Sequence, residues 1–577
     1  MPLKGSFPPM RNKEVAALFY TIADLLDIKG EKFKPNAYRR AARVMEMMEE
    51  DIEVLSSGQR LKDVSGIGEA VADKTAEYLK TGQVHVLEEL RKEIPQGVVE
   101  MLDIPGVGPK TAGLVWKELG ITDVEGLKKA AQEHRLLKLK GFGEKKETKI
   151  LKGIEFLAEA RKRTPIGVAL PLAEEIIRLI KANSPVIDIS FAGSLRRMRE
   201  TVGDIDFLAI SEKREEVVRA FTSMPFVREV VVAGDTKATV ILDAGIQADL
   251  RVLDEGSWGA GMQYFTGSKD HNVHLRTIAQ RQGLKLSEYG VFRGEEKIAG
   301  ATEEGVYEAL GMPYIEPEMR EDAGEIEAAQ EGRLPRLLTM SDVRGDLHMH
   351  TTLSDGGDSL EAMIAAARAR GYSYVGISDH SMSLKIARGV SVDDLMKRRD
   401  EIRNINNTSG DFRILLGTEC EILANGNLDY PDEVLRELDY VIASVHSKFN
   451  MQVEEMTDRV LAAVSHPYVN ILAHPFTGMI HRREPIQLDF ERVAEEAAEK
   501  GTALEINAFP DRLDLSGPQA RLAKEKGAKL VIDTDSHSLE HLAYMRFGVG
   551  TARRGWLGPE DVVNCWPYER AREFLSR

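Results

Sequence analysis

After residue 340 the chain repeats one pattern, and few folds can accommodate it. Short apolar runs end in histidine or carboxylate, and nine of the thirteen histidines lie in this region. Asp346-Leu347-His348-Met349-His350 opens the series, followed by Ser354-Asp355-Gly356, Ser378-Asp379-His380, Gly417-Thr418-Glu419, Ser444-Val445-His446, Ala473-His474-Pro475 and Asp533-Thr534-Asp535-Ser536-His537. Most cap a strand-like stretch: Tyr374–Ile377, Arg413–Leu416, Tyr440–Ala443, Asn470–Leu472 and Lys529–Ile532. Helical patterns such as Leu360–Ala369 and Phe490–Lys500 alternate with them. Alternating strands and helices call for a parallel sheet, and a (β/α) barrel gathers residues from strand C-terminal ends into one site. Imidazoles with carboxylates suit Zn²⁺, Mn²⁺ or Fe, and such a cluster can turn bound water into hydroxide. Any one of these histidines alone would read as a hydrogen-bonded structural residue. His466, His481 and His541 fit no motif.

A second constellation lies mid-chain, in FAGSLRRMRETVGDIDFLAI. Ile187, Ile189 and Phe191 alternate as in a strand, then run into the turn Gly193-Ser194. Asp206–Ile210 reads as a buried strand, and residues two apart share a face, so Asp204 and Asp206 stand side by side. Unpaired, these like charges would repel and one would take up a proton. A divalent cation resolves the conflict, and Mg²⁺ prefers carboxylate oxygens together with substrate phosphates. Gly193 and Ser194 offer amides and a hydroxyl to phosphate, with Arg196 and Arg197 adding charge. Ala238–Leu242 and Gln247–Val252 read as paired strands. Asp249 sits mid-strand between apolar neighbours, where a carboxylate needs a cationic partner; Arg251, two residues on, is the plain structural candidate.

The overall charge of −16 argues against a nucleic-acid partner, but it is uneven. Residues 1–165 carry 29 Lys+Arg against 26 Asp+Glu. This region is helical and repeats a glycine turn that opens a helix: Val64-Ser65-Gly66-Ile67-Gly68, Ile104-Pro105-Gly106-Val107-Gly108-Pro109-Lys110, and a looser Leu139-Lys140-Gly141-Phe142-Gly143. Such turns expose backbone amides to an anion. A helix rich in Lys and Arg ends at Arg161-Lys162-Arg163. The N-terminus lacks an apolar signal core and no run suits a membrane span, so the expected setting is a reducing cytoplasm, with Cys420 and Cys565 unpaired.

The glycine turns resemble helix-hairpin-helix motifs, which grip the sugar-phosphate backbone and can hold Na⁺ or K⁺ on their carbonyls. Gly193-Ser194 with Asp204 and Asp206 resembles the polymerase beta-like nucleotidyltransferases, where Asp249 matches a third metal-binding aspartate. Tyr264-Phe265-Thr266-Gly267-Ser268-Lys269-Asp270-His271-Asn272 resembles the nucleotide-binding turn of family X DNA polymerases. That resemblance implies that Tyr264 and Phe265 pack on the incoming sugar, Asn272 meets the base and Arg276 the template side. Lys269 stands where animal members have aspartate, and Gln247 where they have arginine. Lys34-Pro35-Asn36-Ala37-Tyr38-Arg39 resembles the family's lyase domain, which implies a 5′-phosphate pocket at Lys34 and Tyr38 and a Schiff-base lysine at Lys74. Ala70 replaces a further lysine of the animal members. The C-terminal series resembles the polymerase and histidinol phosphatase (PHP) domain, which implies a three-ion site of His348, His350, Asp355, His380, Glu419, His446, His474, Asp535 and His537.

The expected architecture is a helical lyase-like module (1–85), a second helix-hairpin-helix module (86–165), an α+β nucleotidyltransferase palm (166–257), a thumb (258–316), a charged linker with one short helix (317–340) and a PHP barrel (341–577). The implied function is filling of short DNA gaps in repair, with dNTPs and gapped or nicked duplex as substrates, Mg²⁺ at the palm, 3′→5′ exonuclease action at the barrel and lyase or endonuclease action at abasic sites. A monomer with no membrane partner is expected, and the family resemblance implies a prokaryotic cytoplasm, near the nucleoid. Two other readings stay open: a phosphoesterase with residual polymerase action, and a non-catalytic scaffold that binds damaged DNA.

Overall fold

A computed structural model describes residues 11–576 except 47, 49–51, 59, 65, 161 and 162. Ser65 of the first turn, the end of the basic helix at Arg161-Lys162, and the first ten residues lie outside this set. The chain divides into two compact units, one formed from residues up to 161 and the other from 162 onward apart from residues 481–483.

The first unit is helical. Asn12–Ile28 and Lys34–Glu46 pack against each other, with Phe19 stacked on Tyr38 at 5.8 Å between ring centroids. Three glycine turns follow one geometry. In each, the middle residue's amide bonds back three residues, Ile67 to Val64, Val107 to Ile104 and Phe142 to Leu139. The leading glycine of each has positive φ (Gly66, Gly106, Gly141), and Ile67 and Val107 plug the unit's core. The looser third copy therefore folds like the other two. Helices Glu69–Thr81, Pro109–Leu119 and Glu144–Ala160 leave the three turns.

The second unit begins with a five-stranded sheet in the order Asp188–Phe191, Asp204–Ile210, Gln247–Leu253, Lys237–Leu242, Val227–Ala233. Asp204–Ile210 runs parallel to Gln247–Leu253 and antiparallel to Asp188–Phe191. Helices Ile166–Asn183 and Arg214–Thr222 bury Ile176, Ile180, Val217 and Phe221 against it. The same apolar core takes in Leu513 and Phe547 from the C-terminal half.

Helices Trp258–Thr266, Lys269–Arg281 and Glu303–Ala309 and a three-stranded sheet (285–299) form the next layer. Residues 317–340, expected as a linker, carry the one short helix, Glu325–Gln330, but are not a solvated tether. Met319, Ile326, Ala329 and Leu337 join this layer's core. Arg320 is fully buried, bonded to Glu303 at 2.7 Å and lying over Tyr307 and Tyr314. Glu325 is equally buried, against His271 at 2.6 Å. The charges that make the stretch read as solvated are neutralised by partners distant in sequence, and paired charges tolerate burial.

The C-terminal half is a parallel (β/α) barrel. Among the described residues its strands are Gly345–Asp346, Tyr374–Ile377, Arg413–Leu416 continuing after a break into Glu419–Glu421, Ile442–Ser444, Ile471–Leu472, Ala503–Asn507 and Leu530–Asp533. A bridge between Met349 and Ser536 joins the last strand to the first, and one between His380 and Glu419 spans the break. Ala503–Asn507 escaped the sequence reading because Glu505 and Asn507 interrupt its apolar run.

Candidate functional site

Parallel pairing sets Asp206 opposite Asp249 and Asp204 opposite Gln247. Asp204, Asp206 and Asp249 each offer an oxygen within 4.8 Å of the others. Burial, reinforced by Asp204 and Asp249, pushes the Asp206 carboxyl up to about 7. Burial and Asp249 also raise Asp204. A cluster that holds a proton against its own repulsion suits a hard divalent cation. Asp249 does not pair with Arg251, whose guanidinium lies over Phe265 at 4.8 Å. Thr239 Oγ1 and Gln247 Nε2 instead donate to Asp249 at 2.5 and 2.7 Å, so the glutamine that replaces arginine fixes this carboxylate through an amide. Gly193, at φ +63°, lies over Asp206: a β-carbon there would stand 2.5 Å from Asp206 Oδ2.

Ser194 follows on a single helical turn, Gly193–Arg196. Arg196 is committed to Glu303 and Thr266. Arg197 donates to Glu321 at 3.1 Å and to the Thr266 carbonyl at 2.5 Å, so the expected phosphate ligand has a resident carboxylate. Tyr264 and Phe265 meet edge to face at 5.1 Å near the end of Trp258–Thr266. Gly267 then reverses the chain, Ser268 caps the helix Lys269–Arg281, and Lys269 is exposed. Asn272 is 7 % exposed, accepting from Gln263 and donating to the Tyr264 carbonyl, both at 2.7 Å. A buried amide must satisfy both ends, so the expected base contact is turned inward in this structure. Arg276 is half-buried and donates to the Asn272 carbonyl at 3.3 Å.

In the N-terminal unit, Lys34, Tyr38, Gly66 and Gly68 line a cavity of about 550 Å³ with Arg40 and Ala70. Lys74 is not among its lining residues; its Nζ donates to the Ala70 carbonyl of its own helix at 3.1 Å. Gly68, Gly106, Gly108 and Lys110 are exposed. Gly68 and Gly108 have extended φ, and a β-carbon on either meets nothing within 4 Å. The fold itself does not require glycine at these two positions. Glycine there leaves room for another backbone to come close.

At the barrel the nine expected residues converge. Glu419 is the hub, with His380 at 2.8 Å, His474 at 3.0 Å, His446 at 3.1 Å and His348 at 3.3 Å. Three groups have ligand spacing: His350, Asp355, His380 and His537; His348, His350 and Asp535; His380, Glu419 and His446. His348 Nε2, both His350 nitrogens, His380 Nδ1, His474 Nδ1 and Glu419 Oε2 are buried without a hydrogen-bond partner. Buried polar atoms in native proteins rarely lack partners, so this donor set fits metal ions. Burial, followed by His537 and His380, drives His350 down to about 4, leaving it neutral and able to ligate.

Several residues beneath the cluster were not found from sequence. Glu505 accepts from His348 Nδ1 at 2.6 Å and from the His474 amide at 2.7 Å. Glu421 accepts from His446 Nδ1 at 2.9 Å, and Asp379 from Thr351 and Ser354 at 2.8 and 2.7 Å. Glu505 and Glu421, each on a ring nitrogen, fix the tautomer and direction of ligating imidazoles, whereas Asp379 braces the turn at 351–354. Glu505 carried the signal that identified Asp249, a carboxylate inside an apolar strand.

Family models match in four places: "DNA polymerase beta thumb" at 261–321, "Helix-hairpin-helix domain" at 10–84, "SAM-like Helix-hairpin-helix tandem" at 98–155 and "PHP domain" at 346–508. The chain is 39% identical to the "DNA polymerase/3'-5' exonuclease PolX" of Bacillus subtilis, over 98% of this chain and all of that protein. It is 24% identical to a DNA polymerase lambda of Arabidopsis thaliana across 54% of this chain and 63% of that one. Over 33% of its length it is 32% identical to a "Probable phosphatase" of Acetivibrio thermocellus, covering 78% of that protein. No helix among the described residues is long and apolar enough to cross a membrane.

Proposed function

Since this chain belongs to the family X DNA polymerases that carry a PHP domain, we propose that it fills short gaps in duplex DNA and trims 3′ ends at its barrel. The observation that carries the polymerase reading is the trio Asp204, Asp206 and Asp249 on adjacent parallel strands beneath Gly193. Mg²⁺ bound there supplies charge neutralisation and Lewis acidity to an in-line displacement. Asp204 and Asp206 would face the incoming nucleotide's phosphates. Asp249, held by Thr239 and Gln247, would orient the primer 3′-hydroxyl. Gly193, Ser194, Arg197, Gly267, Ser268 and Lys269 would bind the triphosphate, with Tyr264 and Phe265 against the sugar, Asn272 at the base and Arg276 at the template. The inward position of Asn272 means that its amide must exchange partners when nucleotide binds. The glycine turns, with Lys110, would hold duplex flanks through backbone amides, with Na⁺ or K⁺ on their carbonyls.

At the barrel, Mn²⁺, Zn²⁺ or Fe would supply a metal-activated water for phosphodiester hydrolysis. His348, His350, Asp355, His380, Glu419, His446, His474, Asp535 and His537 would hold three such ions, with His348 oriented by Glu505 and His446 by Glu421. Lys74, with Lys34 and Tyr38, would give a weaker abasic-site lyase, since its amine faces its own helix. The enzyme would act as a cytoplasmic monomer built from the five domains set out above, with residues 317–340 packed into the thumb layer. Extension of a one-nucleotide-gapped duplex with dNTP, run with Mg²⁺ and Mn²⁺ in parallel, tests the main reading: activity that survives Asp249→Ala refutes it. An adduct with abasic DNA under borohydride, lost in Lys74→Ala, tests the lyase.

A further inference from the structure

The carboxylate on Arg197 is held from the other half of the unit. The helix Met545–Arg554, which follows the barrel residues Asp535 and His537, ends against the turn after Gly193-Ser194. Gly550 lies so close that a β-carbon would stand 2.5 Å from Met198. Arg554, its side chain 4 % exposed, donates from one nitrogen to the Arg197 carbonyl and to Glu321 Oε1, both at 3.0 Å. The same Glu321 oxygen accepts from Arg197 Nε at 3.1 Å and lies 3.6 Å from Arg199. Glu200 is the other carboxylate in reach, 3.7 Å from Arg554 and 4.0 Å from Arg199. Three guanidinium groups thus share two carboxylates, and Arg554 Nε is buried without a hydrogen-bond partner.

We propose that Glu321 occupies Arg197 in competition with the incoming triphosphate, and that Arg554 of the barrel helix is the positioning residue that receives Glu321 when phosphate takes Arg197. A carboxylate bonded to one arginine opposes phosphate there, whereas one already shared with a second, buried arginine leaves at lower cost. The polymerase's nucleotide affinity then depends on a residue contributed by the nuclease half. This rests on the reading of Arg197 as a phosphate ligand.

The test is steady-state filling of a one-nucleotide gap, reading KM for dNTP and kcat separately, with a melting curve for each variant. Arg197→Ala should raise KM; an unchanged KM refutes the phosphate reading itself. Given a rise, Glu321→Gln should lower KM about threefold, and Arg554→Met should raise it about fivefold, kcat moving less than twofold in both. Arg554→Lys, which keeps the charge without the fork, should fall between Arg554→Met and the parent and serves where Arg554→Met melts early. The decisive outcome is the double variant: with Glu321→Gln present, Arg554→Met should no longer raise KM. A packing role for Arg554 predicts that the penalty persists, and persistence, or a higher KM in Glu321→Gln alone, overturns the inference.

Discussion

Gly193 shows how one missing side chain can set a catalytic geometry. Its φ of +63° and the 2.5 Å approach to Asp206 Oδ2 leave no room for a methyl group. Gly193→Ala should therefore displace Asp206 and cut single-turnover gap filling by about a hundredfold, because displacements near 1 Å cost that much. Loss of stability should stay near 1 kcal/mol by urea titration, the usual strain of an alanine at positive φ. Asp206 also sets a pH signature. Its carboxyl is raised to about 7 in the ion-free fold and lies near 3.8 when unfolded, so the folded protein binds the extra proton between those values. Stability of the ion-free protein should fall as pH rises through that window, and cation binding must expel the proton. Half-saturating Mg²⁺ for gap filling should accordingly rise about fivefold from pH 7 to pH 6 and level off above pH 8. Sequence made these residues legible because a carboxylate within an apolar strand is conspicuous. It did not reveal Thr239 or Glu321 as partners, since a hydrogen bond between strands or across the fold leaves no local pattern, whereas Gln247 lies two residues from Asp249 on the same face of one strand.

Among the elements, the three glycine turns were the most legible, because each is closed by hydrogen bonds within five residues and so by local sequence alone. Their second glycines make a clean test. Gly68 and Gly108 have ordinary φ and open space, so Gly108→Val should leave the melting temperature within about 1 °C while weakening binding to gapped duplex about fivefold. The segment 317–340 was the least legible element. Its charges are answered by Glu303, Tyr307 and His271, all earlier in the chain, and by Arg553, which reaches Glu316 and Glu318 at 3.0 and 2.7 Å. The strand Ala503–Asn507 was missed for a related reason: the residues that break its apolar pattern, Glu505 and Asn507, are those placed under the metal cluster.

Across the whole molecule, two chemistries reside in one chain at separate clusters. His350→Ala should reduce 3′ trimming by about a hundredfold with gap filling kept within twofold, and Asp206→Asn should do the reverse. The barrel was legible from its ordered ligands, whereas its seam with the palm was not, since nothing local in the sequence ties Leu513 and Phe547 to a core formed more than 250 residues earlier. That seam has a thermal consequence. A shared apolar core should make palm and barrel melt as one cooperative block, and ions that bind the folded barrel should stabilise whatever melts with it. Supply of the barrel's ions would then set the upper temperature limit of DNA synthesis, although the proposed palm ion is a different one, Mg²⁺. Stripping the barrel with a chelator blind to Mg²⁺ should lower the temperature at which gap filling fails, in step with a single calorimetric transition.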